Sequence, residues 1–462
     1  MNFYDALFAR FLKSSNVNTW EQIVRDVRLG LGPQLYPVGS ELTTEKATSI
    51  TAECEADNTG VTEASVDFAD FLGGVGSARS GQYVFLYNGV AWTLDNKTVS
   101  LADYGVTIVD GSPVSGDAII VTETTYPITF RVVGHDHFEA ADPALTHTMA
   151  LESKYVYSDA AGTYKGLVFD APETLFYCTE GLEAGTYNFT WNYATGSMVN
   201  GTYQFTLTQN VPTGGQIVMG TNSNSTAITA CKISTFATVG ATEAIESNIA
   251  ITEGFDGISL GTIGATSSSA ENLNCAQRII WGSNNYAQSG ARQWFNSDAA
   301  LHEVWAPKTK YDRPPTWHTG NNTYYAGFMH GLGADFLGAV KTAKIPCRTN
   351  NVNEIESLDG TEYSTGTVYT VENKFFVLSR PEIYGTWDSE SVKDGSQLAY
   401  YDGLTQSDLI KRGGGGTARR AWLRSPNPSS ASAERIVNID GSLNDGNVAV
   451  NAYAVAPACI IA

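Results

Sequence analysis

The sequence predicts a mainly β protein: inserted β-sandwich-like modules, short N-terminal helices before them, and a turn-rich C-terminal domain after them. Three observations carry that prediction. Asp-Gly occurs at Asp440-Gly441 and again at Asp445-Gly446, between short stretches that alternate apolar with small polar residues. Gly supplies positive φ and Asp tolerates the turn, so both read as hairpin turns. Charged residues make up only 16% of the 462, while Gly alone contributes 45, a weakly charged, turn-rich composition suited to a β surface protein. Helical spacing, finally, is confined to the first forty residues or so.

Taken in order, residues 1–36 form the helical segment. Trp20, Ile23, Val24, Val27 and Leu31 recur at helical spacing, with Thr19 as N-cap and Gln22 three residues on. Asn2 to Lys13 is a second amphipathic stretch carrying Phe3, Leu7, Phe8, Phe11 and Leu12. So short a segment cannot bury its stripe alone. It either attaches the chain to another subunit or particle, or folds back on its own domain. Residues 37–43 enter a sheet that resumes at 126–165, where Tyr126–Val133 and His147–Ser153 read as hairpin partners. Between them, 44–125 is a separate small β-module, marked by Tyr83–Tyr87, the Asn88-Gly89 turn and the strand that follows. Residues 166–266 are a second β-rich insertion, in which Gly185–Thr190 (GTYNFT) echoes Gly201–Thr206 (GTYQFT) as a paired hairpin. The remainder, 267–462, completes the C-terminal domain. On its last strand Val448 and Val450 fall on one face, and Asn447, Asn451 and Tyr453 on the other.

Three stretches in fixed order carry a family resemblance. They are Arg278–Tyr286 with Ser289–Asp298, then Phe375–Gly385, then Trp422–Pro426 running through Glu434–Gly441 to Val455–Ile461. Together they resemble a C-type-lectin-fold family common in phage and prophage structural proteins. The same fold carries the variable proteins of diversity-generating retroelements. The resemblance covers roughly the C-terminal two-fifths of the chain. It implies an α+β C-type-lectin-fold domain whose first strands are 37–43 and 126–165 and which 267–462 completes, and a place on a virion surface, as a tail- or head-fibre adhesion protein. Its partner would be a host cell-surface protein or glycan, with other virion proteins held through the N-terminal helices. A homo-oligomer is expected, and a trimer would suit a fibre. Carried over position by position, the ligand-contacting side chains are Arg435, Asn438, Asp440, Asn444, Asn447, Asn451 and Tyr453. Ser429, Ser430, Ser432 and Glu434 are also expected to face outward. Trp281, Arg292, Trp294, Trp422 and Arg424 are expected to brace the fold, as is Arg380. Two alternatives remain open. One is an architectural capsid-decoration or baseplate protein without a host ligand. The other is an oxidase like the formylglycine-generating enzymes, which would need a copper-binding cysteine pair; Cys347 and Cys459 are the candidates, in surroundings unlike that family's.

Composition and motifs narrow the rest. A formal net charge of −20 argues against nucleic acid or an anionic membrane surface as partner. No apolar run is long enough to cross a bilayer. Asp5, Arg10 and Lys13 interrupt any N-terminal signal core, so export by assembly into a particle is the expected route. The six cysteines are scattered and form no close pair, so they read as small buried hydrophobes, with a Cys275–Cys459 disulfide left open. His135, His137 and His147, near Asp136 and Glu139, offer a His-x-His spacing that puts two imidazoles on one strand face, as metal sites require. Gly413–Gly416 before Arg419 and Arg420 lacks the Lys-Ser/Thr of a phosphate loop. Asp440, Asn444, Asp445 and Asn447 crowd oxygens together, but the paired calcium motifs of sugar-binding lectins are missing. No activated nucleophile accompanies any of these groups. A binding protein without cofactor is expected, not an enzyme.

Overall fold

The computed structural model describes residues 19–55, 60–66, 81–158, 162, 165–170, 284–298, 326–352, 364–386, 393–448 and 451–462. It also describes the backbone at 174–178, 183–191, 201–207, 215–221, 228–234, 242–245, 250–251, 355–356 and 362–363. The amphipathic stretch Asn2 to Lys13, Trp281 and Cys275 lie outside the described residues. The chain is mainly β, built of several antiparallel sheets. It divides into two compact units: Met1–Lys154 with Met329–Lys341 and Ile460–Ala462, and Tyr155–Phe328 with Thr342–Cys459.

In the first unit, helix Trp20–Arg28 starts at a reciprocal capping box. Gln22 N donates to Thr19 Oγ1 at 3.3 Å, and Thr19 N donates to Gln22 Oε1 at 3.0 Å, satisfying two amides that the first helical turn leaves open. Its stripe buries Trp20, Ile23 and Val27. Trp20 packs on Phe336 with ring centroids 4.6 Å apart, and Phe336 packs on Phe130 at 5.1 Å. Of the two fates open to the helical segment, this helix takes the intramolecular one.

Strand Glu41–Cys54 runs antiparallel to Ala118–His135, from Glu41 opposite Arg131 to Cys54 opposite Ile119. The module boundaries expected at 43/44 and 125/126 fall inside these continuous strands, close to a register shift between Ala47 and Ser49. Both strands keep their pairing through that point, so the small module is the far end of one long ribbon. It has its own core, in which Phe85, Trp92, Ile119 and Val121 meet Val61 and Val106. Its Asn-Gly turn forms as the sequence suggests: Gly89 has φ +91°, and Asn88 Oδ1 accepts from Val90 N and Ala91 N, each at 2.9 Å. Near its end, strand Ala118–His135 pairs with Met149–Ser153. The last strand of the chain, Ala458–Ile461, sets Ile461 opposite Val340 and Ile460 opposite Lys341.

In the second unit the echoing strands Gly185–Trp191 and Gly201–Leu207 pair antiparallel, with Tyr187 opposite Phe205 and Phe189 opposite Tyr203. Helix Gly290–Phe295 is capped by Ser289 and buries Trp294. Trp294 meets Tyr157 at 5.0 Å and Phe328 at 5.4 Å, and Phe328 meets Phe375 at 5.1 Å. Asn296 locks this cluster to the strand Phe375–Phe376. Its amide donates to Phe375 O at 2.9 Å, and its Oδ1 accepts from Lys374 N and Phe375 N at 2.9 and 3.1 Å. Phe375 and Phe376 lie opposite Cys459 and Ala458. A three-stranded sheet of Ala421–Pro426, Ala433–Val437 and Leu443–Asn447 completes the unit.

That sheet corrects the reading of the two Asp-Gly pairs. Asp440-Gly441 is a turn: Gly441 has φ +80°, and its N donates to Asn438 O at 3.0 Å. Asp445-Gly446 is not. Both residues are in mid-strand, opposite Arg435 and Glu434.

Phe336 is fully buried between Trp20 and Phe130. Phe336→Ala should therefore destabilise the first unit by about 3–5 kcal/mol, read as a lower denaturant midpoint. A shift within about 0.5 kcal/mol would mean the helix does not depend on that contact.

Candidate functional site

The C-terminal sheet is held from below by one buried guanidinium. Arg424 is fully buried, and all five of its N–H groups meet acceptors. Nε donates to Pro346 O at 3.0 Å, and one Nη to Val377 O at 2.9 Å and to Glu382 Oε2 at 2.6 Å. The other Nη donates to Glu382 Oε1 and, at 3.3 Å, to Asp394 O. Glu382 is itself fixed, because it closes the capping box of helix Arg380–Tyr384 by accepting from Ser379 N at 2.8 Å. Ser425 ties in the next residue: its hydroxyl donates to Asp394 Oδ2 and accepts from Arg380 N, both at 2.8 Å. Such a bidentate, fully satisfied pair fixes geometry as well as charge.

Of the other expected braces, Arg292, Trp294 and Trp422 are also buried and bonded, and Arg380 is half-buried. Arg292 donates through Nε to Asn373 Oδ1 at 2.9 Å and through Nη to Ala287 O at 3.2 Å. The indoles of Trp294 and Trp422 donate to Ala326 O at 2.9 Å and Leu167 O at 2.6 Å.

On this platform, Trp422 carries Tyr453, with ring centroids 4.9 Å apart. The Arg420 guanidinium lies 5.8 Å from the Tyr453 centroid, and its Nε donates to Asn438 Oδ1 at 3.0 Å. Gly446 is required beneath the stack. A Cβ there would lie 2.5 Å from Tyr453 Cε2 and 2.8 Å from Trp422 Cη2. The hairpin tip is clamped: Tyr384 Oη donates to Gly441 O at 2.9 Å and Gln406 Nε2 to Asp440 O at 3.2 Å.

The expected contact residues divide into two sets. Asp440 and Asn444 are exposed, whereas Arg435, Asn438, Asn447, Asn451 and Tyr453 are half-buried. Most of the second set act within the chain. Arg435 pairs with Asp445, directly opposite on the neighbouring strand, and Asp445 also accepts from Asn427 Nδ2 at 2.8 Å. Asn451 Oδ1 accepts from Asn447 N at 2.7 Å, while Asn447 O accepts from Asn451 N at 3.0 Å. Asn444 Oδ1 accepts from Asp445 N at 2.8 Å. Two outward amides of the sheet's edge strand are thus capped by asparagine side chains, which blunts the edge for pairing with another strand.

Two residues expected to face outward do not. Ser432 and Glu434 are buried. Successive side chains of a strand point to opposite faces, so with Arg435 on the open side Glu434 must turn in. Neither of its carboxyl oxygens has a hydrogen-bond partner. Burial, together with the nearby Asp394 carboxylate, pushes Glu434 well above the usual carboxylate range. Burial likewise pushes Asp394 up to about 6, against the pull of Arg424.

The metal and redox expectations find no site among the described residues. Asp136 has φ +51°, which breaks strand alternation between His135 and His137, so the two imidazoles are not set on one strand face. His135 Nε2 donates to Tyr36 O at 2.9 Å, while His147 pairs with Asp136 at 3.2 Å. Among the described residues, no three His, Cys, Asp or Glu side chains gather as a metal site. Cys347 and Cys459 are free thiols. Burial pushes Cys347 up to about 12 and Cys459 higher still, the opposite of what a metal-binding thiolate needs. Gly413–Gly416 forms a tight turn, with Gly416 N donating to Gly413 O at 2.8 Å.

Sequence reading missed Arg420 as a member of the face, having met it only beside the glycine run. It also missed an open pocket of about 350 Å³ next to the hairpin tip, lined in part by Arg380, Tyr384, Gln397, Tyr401, Gln406 and Ser442. The available signal was aromatic: Tyr384, half-buried at the end of a short helix, lines the pocket.

Residues 266–462 match the model of a domain of unknown function, DUF6273, starting one residue before the boundary read from the sequence. No curated protein and no solved structure matches the chain.

Two outcomes follow from this geometry. Asp394 and Glu434 hold protons in the folded state at pH values where the unfolded chain releases them. Both contributions are fully present below the unfolded values near 4; that of Asp394 is lost as pH rises through about 6, and that of Glu434 as pH rises above the usual carboxylate range. Folding stability should fall across that window by on the order of 1–3 kcal/mol, and Asp394→Asn should flatten the curve. An Asp394→Asn profile parallel to the unaltered chain would contradict this. Separately, Gly446→Ala should displace Tyr453 from Trp422 and cost about 1–3 kcal/mol by overpacking, with a changed near-ultraviolet tyrosine and tryptophan signal as the readout.

Proposed function

We propose that this chain is a virion-surface receptor-binding protein of phage or prophage type. On this reading, residues 267–462 form a C-type-lectin-type domain that presents the hairpin Ala433–Asn447 with Arg420 and Tyr453 to a host-surface ligand. Support for the fold comes from element order: the Trp294 helix, the Phe375 strand, the helix after Ser379, the Trp422 strand, and a last strand returning beside Phe375. Support for binding rests on one observation above all. Exposed Arg420 lies beside a tyrosine stacked on a buried tryptophan, on the same sheet as exposed Asp440 and Asn444, over a base fixed by the Arg424–Glu382 pair. Adaptable polar groups around a rigid aromatic are well suited to recognition. The negative net charge keeps nucleic acid and anionic membranes unfavoured as partners. A homo-oligomer, with a trimer favoured, belongs to the same proposal.

A second reading, architectural and without host ligand, draws on a different observation. Asn438, Asn444 and Asn451 accept hydrogen bonds from within the chain, as edge-protecting residues of a purely structural sheet would. Cell-binding measurements separate the two. Labelled full-length protein should adhere to host cells, and Asn444→Ala with Arg420→Ala should weaken adhesion roughly tenfold or more while destabilising the fold by no more than about 1–2 kcal/mol, the cost of the two hydrogen bonds removed. Adhesion untouched by that pair, or absent altogether, would favour the architectural protein.

A further inference from the structure

The pocket beside the hairpin tip has a composition that selects a ligand. Its polar groups can be counted bond by bond. Gln397 spends both amide hydrogens on the backbone, donating to Ile383 O and Tyr401 O at 3.3 Å each, so its Oε1 remains as an acceptor. Gln406 spends one amide hydrogen on Asp440 O and keeps a donor and an acceptor. Tyr384 donates to Gly441 O and retains lone pairs on its hydroxyl. The Tyr384 ring, the buried Tyr401, whose hydroxyl accepts from Lys411 Nζ at 2.6 Å, and the apolar Ile383, Leu404, Leu409 and Leu443 supply most of the remaining wall, with Arg380 and the hydroxyl residues Thr386 and Ser442.

Each ligand class meets a different part of this wall. An inorganic or lipid phosphate would find a single guanidinium, next to acceptor oxygens and under a chain of net charge −20. A divalent cation would find no carboxylate among the lining side chains. An acyl chain would leave the glutamine oxygens unbonded at cost. A neutral hydroxylated ring fits all of it. Each hydroxyl both donates and accepts, and its C–H face lies against an aromatic ring. The volume, about 350 Å³, sits at the small end of the range for ligand pockets and suits one sugar unit at the end of a chain.

We infer that this pocket is a saccharide subsite: it takes one neutral pyranose unit of a surface glycan, next to the hairpin face that contacts the rest of the receptor. The inference rests on the receptor-binding reading and names the ligand class for part of it. Tyr384 and Gln406, which hold the tip backbone, also line the pocket, so the clamp and the subsite share two residues.

The test uses the full chain and the methyl pyranosides of glucose, galactose, mannose and N-acetylglucosamine, with saturation-transfer NMR as readout. Transfer to the ring protons of at least one of them is expected, weakened roughly tenfold or more by Gln406→Ala and by Leu404→Trp, which fills the cavity. The unfolding curves of both variants serve as the folding control. No transfer from any of the four sugars, or transfer unchanged in two folded variants, overturns the inference. Its failure stays distinct from failure of the parent reading. Adhesion that depends on Asn444 and Arg420 but survives Leu404→Trp would remove the sugar subsite and leave the hairpin face standing.

Discussion

Everything at the C-terminal end depends on satisfying Arg424. A guanidinium fully removed from water carries a desolvation cost of several kcal/mol, which only close, complete pairing offsets. Five acceptors answer its five donors, and they come from four separate stretches of chain: Pro346, Val377, Glu382 and Asp394. No one of these segments can shift without leaving a buried donor empty. The constraint therefore acts as a register pin. It sets where strand Ala421–Pro426 lies against helix Arg380–Tyr384, and so where Trp422, the next-but-one residue before it, must point.

From Trp422 the geometry passes outward. Its indole is fixed by Leu167 O, Tyr453 rests on its ring, and Gly446 is glycine because the next strand must run against both. The acidic groups around the pin fit the same logic. One guanidinium balances one carboxylate, Glu382, and among the described residues neither Asp394 nor Glu434 has an ion pair of its own, the pull of Arg435 on Glu434 being outweighed by burial. Both respond as buried acids do, by holding their protons more tightly. A low-charge interior is reached there by protonation in place of further ion pairs.

How much of this could be read from the sequence varied with how local the governing interaction is. The capping box at Thr19 and Gln22 involves four consecutive residues, and the helix follows from them directly. The Asn88-Gly89 turn is equally local. Asp440-Gly441 and Asp445-Gly446 look alike in sequence, yet only the first turns. What separates them is Trp422 and Tyr453, whose demand for an empty position at Gly446 comes from distant strands. Reading Glu434 and Arg435 as both outward overlooked strand alternation, a local rule that was available. The His-x-His reading applied that rule where Asp136, with positive φ, suspends it. The pocket was illegible for a different reason. Its walls come from the helix after Ser379, the loop at Gln397–Gln406 and the hairpin tip, which no single motif contains.

The split between bonded and open side chains decides what this surface can do. Arg435, Asn438 and Asn451 each carry a hydrogen bond or ion pair that holds a strand, a tip or an edge, so a change at any of them alters the scaffold before it alters recognition. Asp440 and Asn444 extend into solvent, and the side-chain bonds they make are to residues within two positions of themselves. A face of this kind tolerates variation at few positions, but those positions sit on a support that the variation does not disturb. On the receptor-binding reading, such a face keeps its geometry while its chemistry changes, because neither Asp440 nor Asn444 bonds to Arg424 or to its acceptors.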